Sequence, residues 1–187
     1  VKEKVAASLN RRFGMSYAPG HIFPTSGAAG AIAHALRCVV EPGEEVMVFA
    51  PYFSEYDQYI GGTGGVIRVV PVKADDFQIN FEAAEAVFNE KTAAVLINTP
   101  NNPSGAVYTE ETLRRLAQVL TEKSRQYGHT IFLVSDEPYR EIVFDGKKQA
   151  YPASFYPHTL SCYSFSKSLS VPGERVGYVA VTPDCEQ

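Results

Sequence analysis

The chain has 187 residues, 45% of them hydrophobic and 20% charged, which suits one globular domain able to bury a sizeable core. Its formal net charge of −4, with no long basic run, argues against nucleic acid or an anionic membrane as a partner. Three scattered cysteines, Cys38, Cys162 and Cys185, form no CxxC pair, so neither a metal site nor a disulfide framework is indicated; that usage fits a reducing cytoplasm, with Cys38 and Cys162 as small core hydrophobes.

In chain order, Val5, Leu9 and Phe13 recur at helical spacing and Gly14 supplies a stop, so the opening reads as a helix. It carries no apolar run after its cations, unlike a signal peptide, and it lacks an initiator methionine, so a piece of a longer protein is expected. Residues 21–25 read as a short strand. The small-residue turn Ser26-Gly27-Ala28-Ala29-Gly30 follows and leads into an alanine-rich helix that Pro42-Gly43 breaks. Residues 45–50 form a continuous apolar run, as a strand buried on both faces should. A helix over 54–60, a glycine loop over 61–65 and a strand over 66–72 come next. Phe81, Ala84, Val87 and Phe88 give another helix, residues 93–98 a strand and residues 99–107 a loop. Thr109 caps a helix with Glu110 and Glu111 in its first turn and Leu113, Leu116, Ala117 and Leu120 as its apolar stripe; Gly128 ends it. Residues 130–134, 159–165 and 176–181 are the last three strand predictions.

About seven strands, the early ones alternating with helices, predict an α/β fold: three α/β/α layers around a mostly parallel sheet. The segment between the last two strands is too short for a helical crossover, so the last strand should be antiparallel. No repeat, low-complexity segment or linker divides the chain.

Ligands of open parallel sheets gather outside the carboxyl ends of the strands. Four stretches fall there. Gly27, Ala28 and Ala29 open a helix after the first strand, where backbone N–H groups can approach an anion; a plain tight turn is the alternative. Phe53, with Tyr52 beside it, follows the second strand and can stack on a flat ligand, or simply pack. Asn102, in the run Asn98-Thr99-Pro100-Asn101-Asn102-Pro103, can donate to a phenolic oxygen, though these residues also favour turns. Asp136 directly follows Phe132-Leu133-Val134-Ser135, and a partly buried carboxylate there needs a cation such as a protonated pyridine nitrogen; a helix cap or a structural ion pair is the alternative. Tyr139 can donate to an oxygen of the same ring.

The stretch Ser164-Phe165-Ser166-Lys167, with Arg175 eight residues beyond the lysine, completes the set. A free lysine amine has a pKa of about 10.4, so attack on a carbonyl needs desolvation or a neighbouring cation. Lys167 therefore reads as the amine that forms a Schiff base with an aldehyde cofactor, and Arg175 as the fork on that cofactor's phosphate, helped by the Ser164 hydroxyl. In isolation such a pair is more often two surface cations; the upstream stretches are what lift this reading.

Together these motifs resemble the fold-type I aminotransferases that use pyridoxal 5′-phosphate (PLP), in particular the class I/II branch around the aspartate and aromatic enzymes. The resemblance covers nearly the whole chain. It implies that Lys167 holds PLP as an internal aldimine and moves a proton, that Asp136 pairs with the pyridine nitrogen, and that Tyr139 and Asn102 bond the ring oxygen. Gly27, Ala28, Ala29, Ser164, Ser166 and Arg175 form the phosphate cup, and Phe53 stacks on the ring. The implied reaction moves an amino group from an L-amino acid to a 2-oxo acid by a ping-pong route in a homodimer. Another PLP reaction, a C–S lyase or an aminocyclopropane-carboxylate synthase, keeps the same residues, and so does the PLP-binding effector domain of a transcription regulator. Family members are much longer, so residues 1–187 are expected to be the PLP-binding large domain. The N-terminal segment and the small domain, with its substrate-carboxylate arginine, are expected to lie outside this sequence.

Overall fold

The computed structural model describes residues 1–146 and 149–185. A seven-stranded sheet forms its centre: β1 (Ile22–Ser26), β2 (Glu45–Ala50), β3 (Val66–Pro71), β4 (Thr92–Asn98), β5 (Phe132–Asp136), β6 (Thr159–Ser164) and β7 (Val176–Val181). The strand order is β1-β7-β6-β5-β4-β2-β3. β2 to β6 pair in parallel, and β7 lies antiparallel between β1 and β6. The mostly parallel sheet with an antiparallel last strand is therefore as expected.

Strand residues alternate between two packed faces. On one side Val46, Val48, Leu96, Val134, Cys162 and Val179 meet α2 (Gly27–Val39) and α3 (Tyr56–Gly61). On the other, Met47, Phe49, Val95, Ile97 and Leu133 meet α4 (Phe81–Val87) and α5 (Glu110–Tyr127). Further along that second side, α1 (Lys2–Phe13) buries Val5 and Leu9 against Tyr163, Tyr178 and Ala180. The chain thus makes three layers around two apolar cores. The Thr109 side chain accepts the Thr112 N–H and so satisfies one of the free donors that open α5.

Three expectations need correction. β5 runs two residues further than its apolar stretch, because Asp136 still pairs with Asn98 on β4 and Cys162 on β6. The strand predicted through Phe165 stops at Ser164, whose Oγ accepts the Ser166 N–H and turns the chain into the one-turn helix α6 (Phe165–Ser168). Cys162 is a fully buried core residue, but Cys38 is exposed, since the face of α2 that meets the sheet is Ala31, Ile32, Ala35 and Leu36.

Candidate active site

Parallel register brings the carboxyl ends of the strands to one rim. Asn98 lies beside Asp136, Asp136 beside Cys162, Ser164 beside Gly177, and Gly177 beside Thr25. Because β7 is reversed, its first residue reaches that same rim, with Arg175 immediately before it. A cavity of about 300 Å³ opens there. Ala28, Ala29, Phe53, Asn102, Asp136, Tyr139, Ser164, Ser166, Lys167 and Arg175, all predicted site residues, line it. Gly27 lies just behind this wall, against Arg175. Phe53 rather than Tyr52 faces the cavity; the Tyr52 hydroxyl donates to Asp57 instead.

The floor is set by strand alternation. Val134 belongs to the α2/α3 face, so Asp136 points the same way, while Glu137 points to the α1 face. Asp136 is fully buried, and burial pushes its carboxyl up to about 7; the Tyr56 hydroxyl pulls it down and the neighbouring Glu137 pushes it further up. Tyr56 donates to Oδ2 at 2.6 Å, whereas Oδ1 has no hydrogen-bond partner among the described residues. Burial also raises Tyr139, as does the charge of Asp136, with Asn102 acting the other way.

Glu137 on the opposite face is matched internally. Its Oε2 lies 3.1 Å from Arg140 Nε, with both side chains buried. The Arg140 guanidinium stands over the Tyr163 ring at 4.6 Å and the Phe13 ring at 5.5 Å. Burial raises the Glu137 carboxyl and Arg140 opposes it. This ion pair brackets Pro138 and Tyr139, which face the cavity, and so holds their loop down at both ends.

The opposite side of the cavity is assembled from α2, α6 and Arg175. Gly27 has φ +69, and a Cβ there would lie 2.6 Å from Arg175 Nη2. Arg175 itself takes a left-handed backbone, φ 50 and ψ 48, uncommon for a residue with a side chain. Its Nη1 donates to the Pro172 carbonyl at 3.1 Å and to Ser166 Oγ at 3.4 Å. Ser166 also receives a hydrogen bond from Ser164 Oγ at 2.7 Å. Gly177 is needed for close approach: a Cβ there would lie 2.7 Å from the Gly27 carbonyl carbon and would also overlap the Tyr163 carbonyl. Two glycines about 150 positions apart therefore let helix, strand and guanidinium meet.

Lys167 Nζ stands 5.8 Å from the Tyr139 ring centroid, in the same cavity as Asp136. Its side chain is exposed. Sequence reasoning missed Tyr56, Tyr59 and Asn98. Asn98 stands in the asparagine-proline run that drew attention to Asn102, and its Oδ1 accepts the Asn102 N–H at 2.6 Å. Tyr56 and Tyr59, with Tyr52, recur at helical spacing, a stripe that marks the face α3 turns toward the sheet.

The donor set suits a planar anionic ligand with one basic ring nitrogen. Asp136, whose buried Oδ1 has no hydrogen-bond partner among the described residues, shares one cavity with Phe53, Lys167 and Arg175. The Aminotransferase class I and II family model matches residues 1–187. A probable aspartate/prephenate aminotransferase of Aquifex aeolicus is 36% identical over 96% of this chain and 45% of its own length. A crystallised aminotransferase from Eubacterium rectale superposes with a TM-score of 0.98 at 42% identity, covering 100% of this chain and 47% of that one. A Thermus thermophilus aspartate aminotransferase crystallised with maleate gives a TM-score of 0.89 at 31% identity, over 97% and 46%. The chain thus spans less than half the length of these relatives.

Proposed function

We propose, from the premise that this chain belongs to the aminotransferase class I and II family, that its cavity holds pyridoxal 5′-phosphate and that the protein it forms part of is an aminotransferase. The observation that carries this is the convergence of Lys167, Asp136, Tyr139 and Arg175 on one cavity of about 300 Å³, a size within the range of small-molecule sites. The residues present fit the cofactor. Asp136 Oδ1 is an acceptor in search of a proton donor, which a pyridine nitrogen supplies. Gly27 has no Cβ to press on the Arg175 guanidinium, so the arginine lies against the first turn of α2, where an anion can be held.

When bound, PLP supplies an aldehyde carbon and an electron-withdrawing ring. This chain supplies binding and proton control. Asp136 holds a proton on the ring nitrogen, and Tyr139 and Asn102 donate to the ring oxygen. Phe53 stacks on the ring face. Arg175, Ser164, Ser166 and the first-turn N–H groups from Gly27 to Ala29 bind the phosphate. Lys167 would be the amine that holds the cofactor, and with substrate bound it would be the base that moves a proton at the α-carbon of the amino acid.

The substrates in this reading are an L-amino acid and a 2-oxo acid, which use the one cavity in turn, hence a ping-pong order. Dicarboxylates are the first to try, since the Aquifex relative is a probable aspartate/prephenate aminotransferase and the Thermus one an aspartate aminotransferase. The reading extends to a cytoplasmic homodimer. Its support is the cysteine usage and the exposed apolar side chains Leu169 and Val176, which sit on the stretch that carries Lys167 and Arg175.

The test adds PLP to the purified full-length protein and records its visible spectrum before and after a panel of amino acids. A visible band that amino acids bleach, and that Lys167→Ala removes, is the expected result. An unchanged band in Lys167→Ala sinks the assignment of that residue.

A further inference from the structure

We propose that Tyr56 and Asn98 are positioning residues for Asp136: they occupy its Oδ2 and its main chain, and so present Oδ1 alone to the cavity. The inference rests on the PLP reading above and adds residues to it.

A carboxylate has two equivalent oxygens, and nothing in its chemistry chooses which one faces a ligand. The surroundings choose here. Tyr56, 1% exposed on the sheet side of α3, donates to Oδ2 at 2.6 Å. Asn98, beside Asp136 in the β4–β5 register, donates Nδ2 to the Asp136 carbonyl at 2.9 Å and lies 3.5 Å from Oδ2. Among the described residues, no donor reaches Oδ1. The asymmetry is set from two elements, one packed on the sheet face and one in the neighbouring strand.

The Tyr56 hydroxyl is held in place. Its ring packs edge-on to Phe53 at 5.8 Å and is stacked with Tyr52 at 6.3 Å. Phe53 lines the cavity and Tyr56 does not. One buried ring therefore joins the aromatic wall to the carboxylate floor, fixing the height of one relative to the other. Asn98 makes a parallel link, because its Oδ1 accepts the Asn102 N–H. Of the other groups around Asp136, Glu137 follows it in the chain and disfavours its charge, Cys162 sits beside it on β6, and Tyr139, Lys167 and Arg175 line the same cavity. The Tyr56 hydroxyl acts against burial and Glu137, and so helps to keep the carboxylate able to hold a proton on a bound ring.

The experiment uses full-length protein, PLP as the probe and Tyr56→Phe as the variant. Three quantities are read: PLP affinity by absorbance titration, the pH midpoint of the visible band, and the melting temperature of the cofactor-free protein. Losing a hydrogen bond to a charged group predicts roughly ten- to hundredfold weaker binding. The midpoint should rise by about one unit, because a ring with less positive charge holds nearby protons more tightly. In an Asp136→Asn background, Tyr56→Phe should leave the midpoint where Asp136→Asn alone puts it.

A tyrosine that merely fills space would lower the melting temperature and leave the midpoint at the wild-type value; that result overturns the proposal. If Tyr56→Phe does not accumulate, Asn98→Ala decides, since it should move the midpoint in the same direction. Wild-type protein that gives no visible band with PLP removes the cofactor reading and this inference together. A normal wild-type band with an unshifted variant removes only the positioning role.

Discussion

Replacing Gly27 with alanine tests whether the first turn of α2 and Arg175 work as one cradle. Gly27 has φ +69, where a residue with a Cβ costs about 1–2 kcal/mol. The added methyl would lie 2.6 Å from Arg175 Nη2 and 3.1 Å from Cζ. The guanidinium is the far end of a flexible side chain, so it gives way and the helix stays. Stability should therefore fall by little more than the backbone cost, about 1–2 kcal/mol in urea unfolding of the cofactor-free protein. Binding should suffer more. Charge-assisted hydrogen bonds contribute about 1.5–3 kcal/mol, so PLP affinity should drop roughly ten- to hundredfold in an absorbance titration. The decisive variant is the double, Gly27→Ala with Arg175→Ala. If the methyl acts by displacing Arg175, removing the arginine as well should weaken binding little further. Two losses that multiply in full would refute the reasoning.

Two other outcomes follow from the floor of the site. Asp136 is pushed up to about 7 in the folded chain, against an ordinary value of 3.8. The folded state then binds the extra proton between those values, and stability falls as pH rises through that window. Cofactor-free Asp136→Asn should accordingly be more stable than wild type at pH 8, by on the order of a few kcal/mol, and no more stable at pH 4; urea unfolding at both pH values checks it, and an equal difference at the two would rule it out. Arg140→Met leaves Glu137 buried without its cation and should cost about 3–5 kcal/mol in the same assay. A loss below 1 kcal/mol there would mean the pair does not hold the Tyr139 loop.

The strands were legible where burial on both faces wrote continuous apolar runs, as in residues 45–50, and α5 where a capping threonine and a stripe of leucines agree. What escaped was set by neighbours in space. β5 extends through Ser135 and Asp136, two polar residues that no apolar run reveals, because the adjacent strands pair with them. Helix α6 is four residues long and depends on one serine side chain, so it has no periodicity to read. The site residues reached through combined motifs, such as Lys167, Asp136 and Arg175, do converge on one cavity. Tyr56 stayed hidden because its partner is 80 positions away and its own surroundings read as packing.

The place of β7 between β1 and β6 has a consequence for the order of assembly. Among the described residues, β1 stands at the sheet edge and pairs only with β7. During synthesis β2 to β6 can join as they leave the ribosome, but β1, made before all of them, has no ladder to enter until residues 176–181 arrive. Closing that pairing spans most of the sequence and carries a large entropic barrier. The Gly27 turn at the end of β1 therefore gains its strand partner only once residues 176–181 have been made, and that pairing is what sets Gly27 against Arg175.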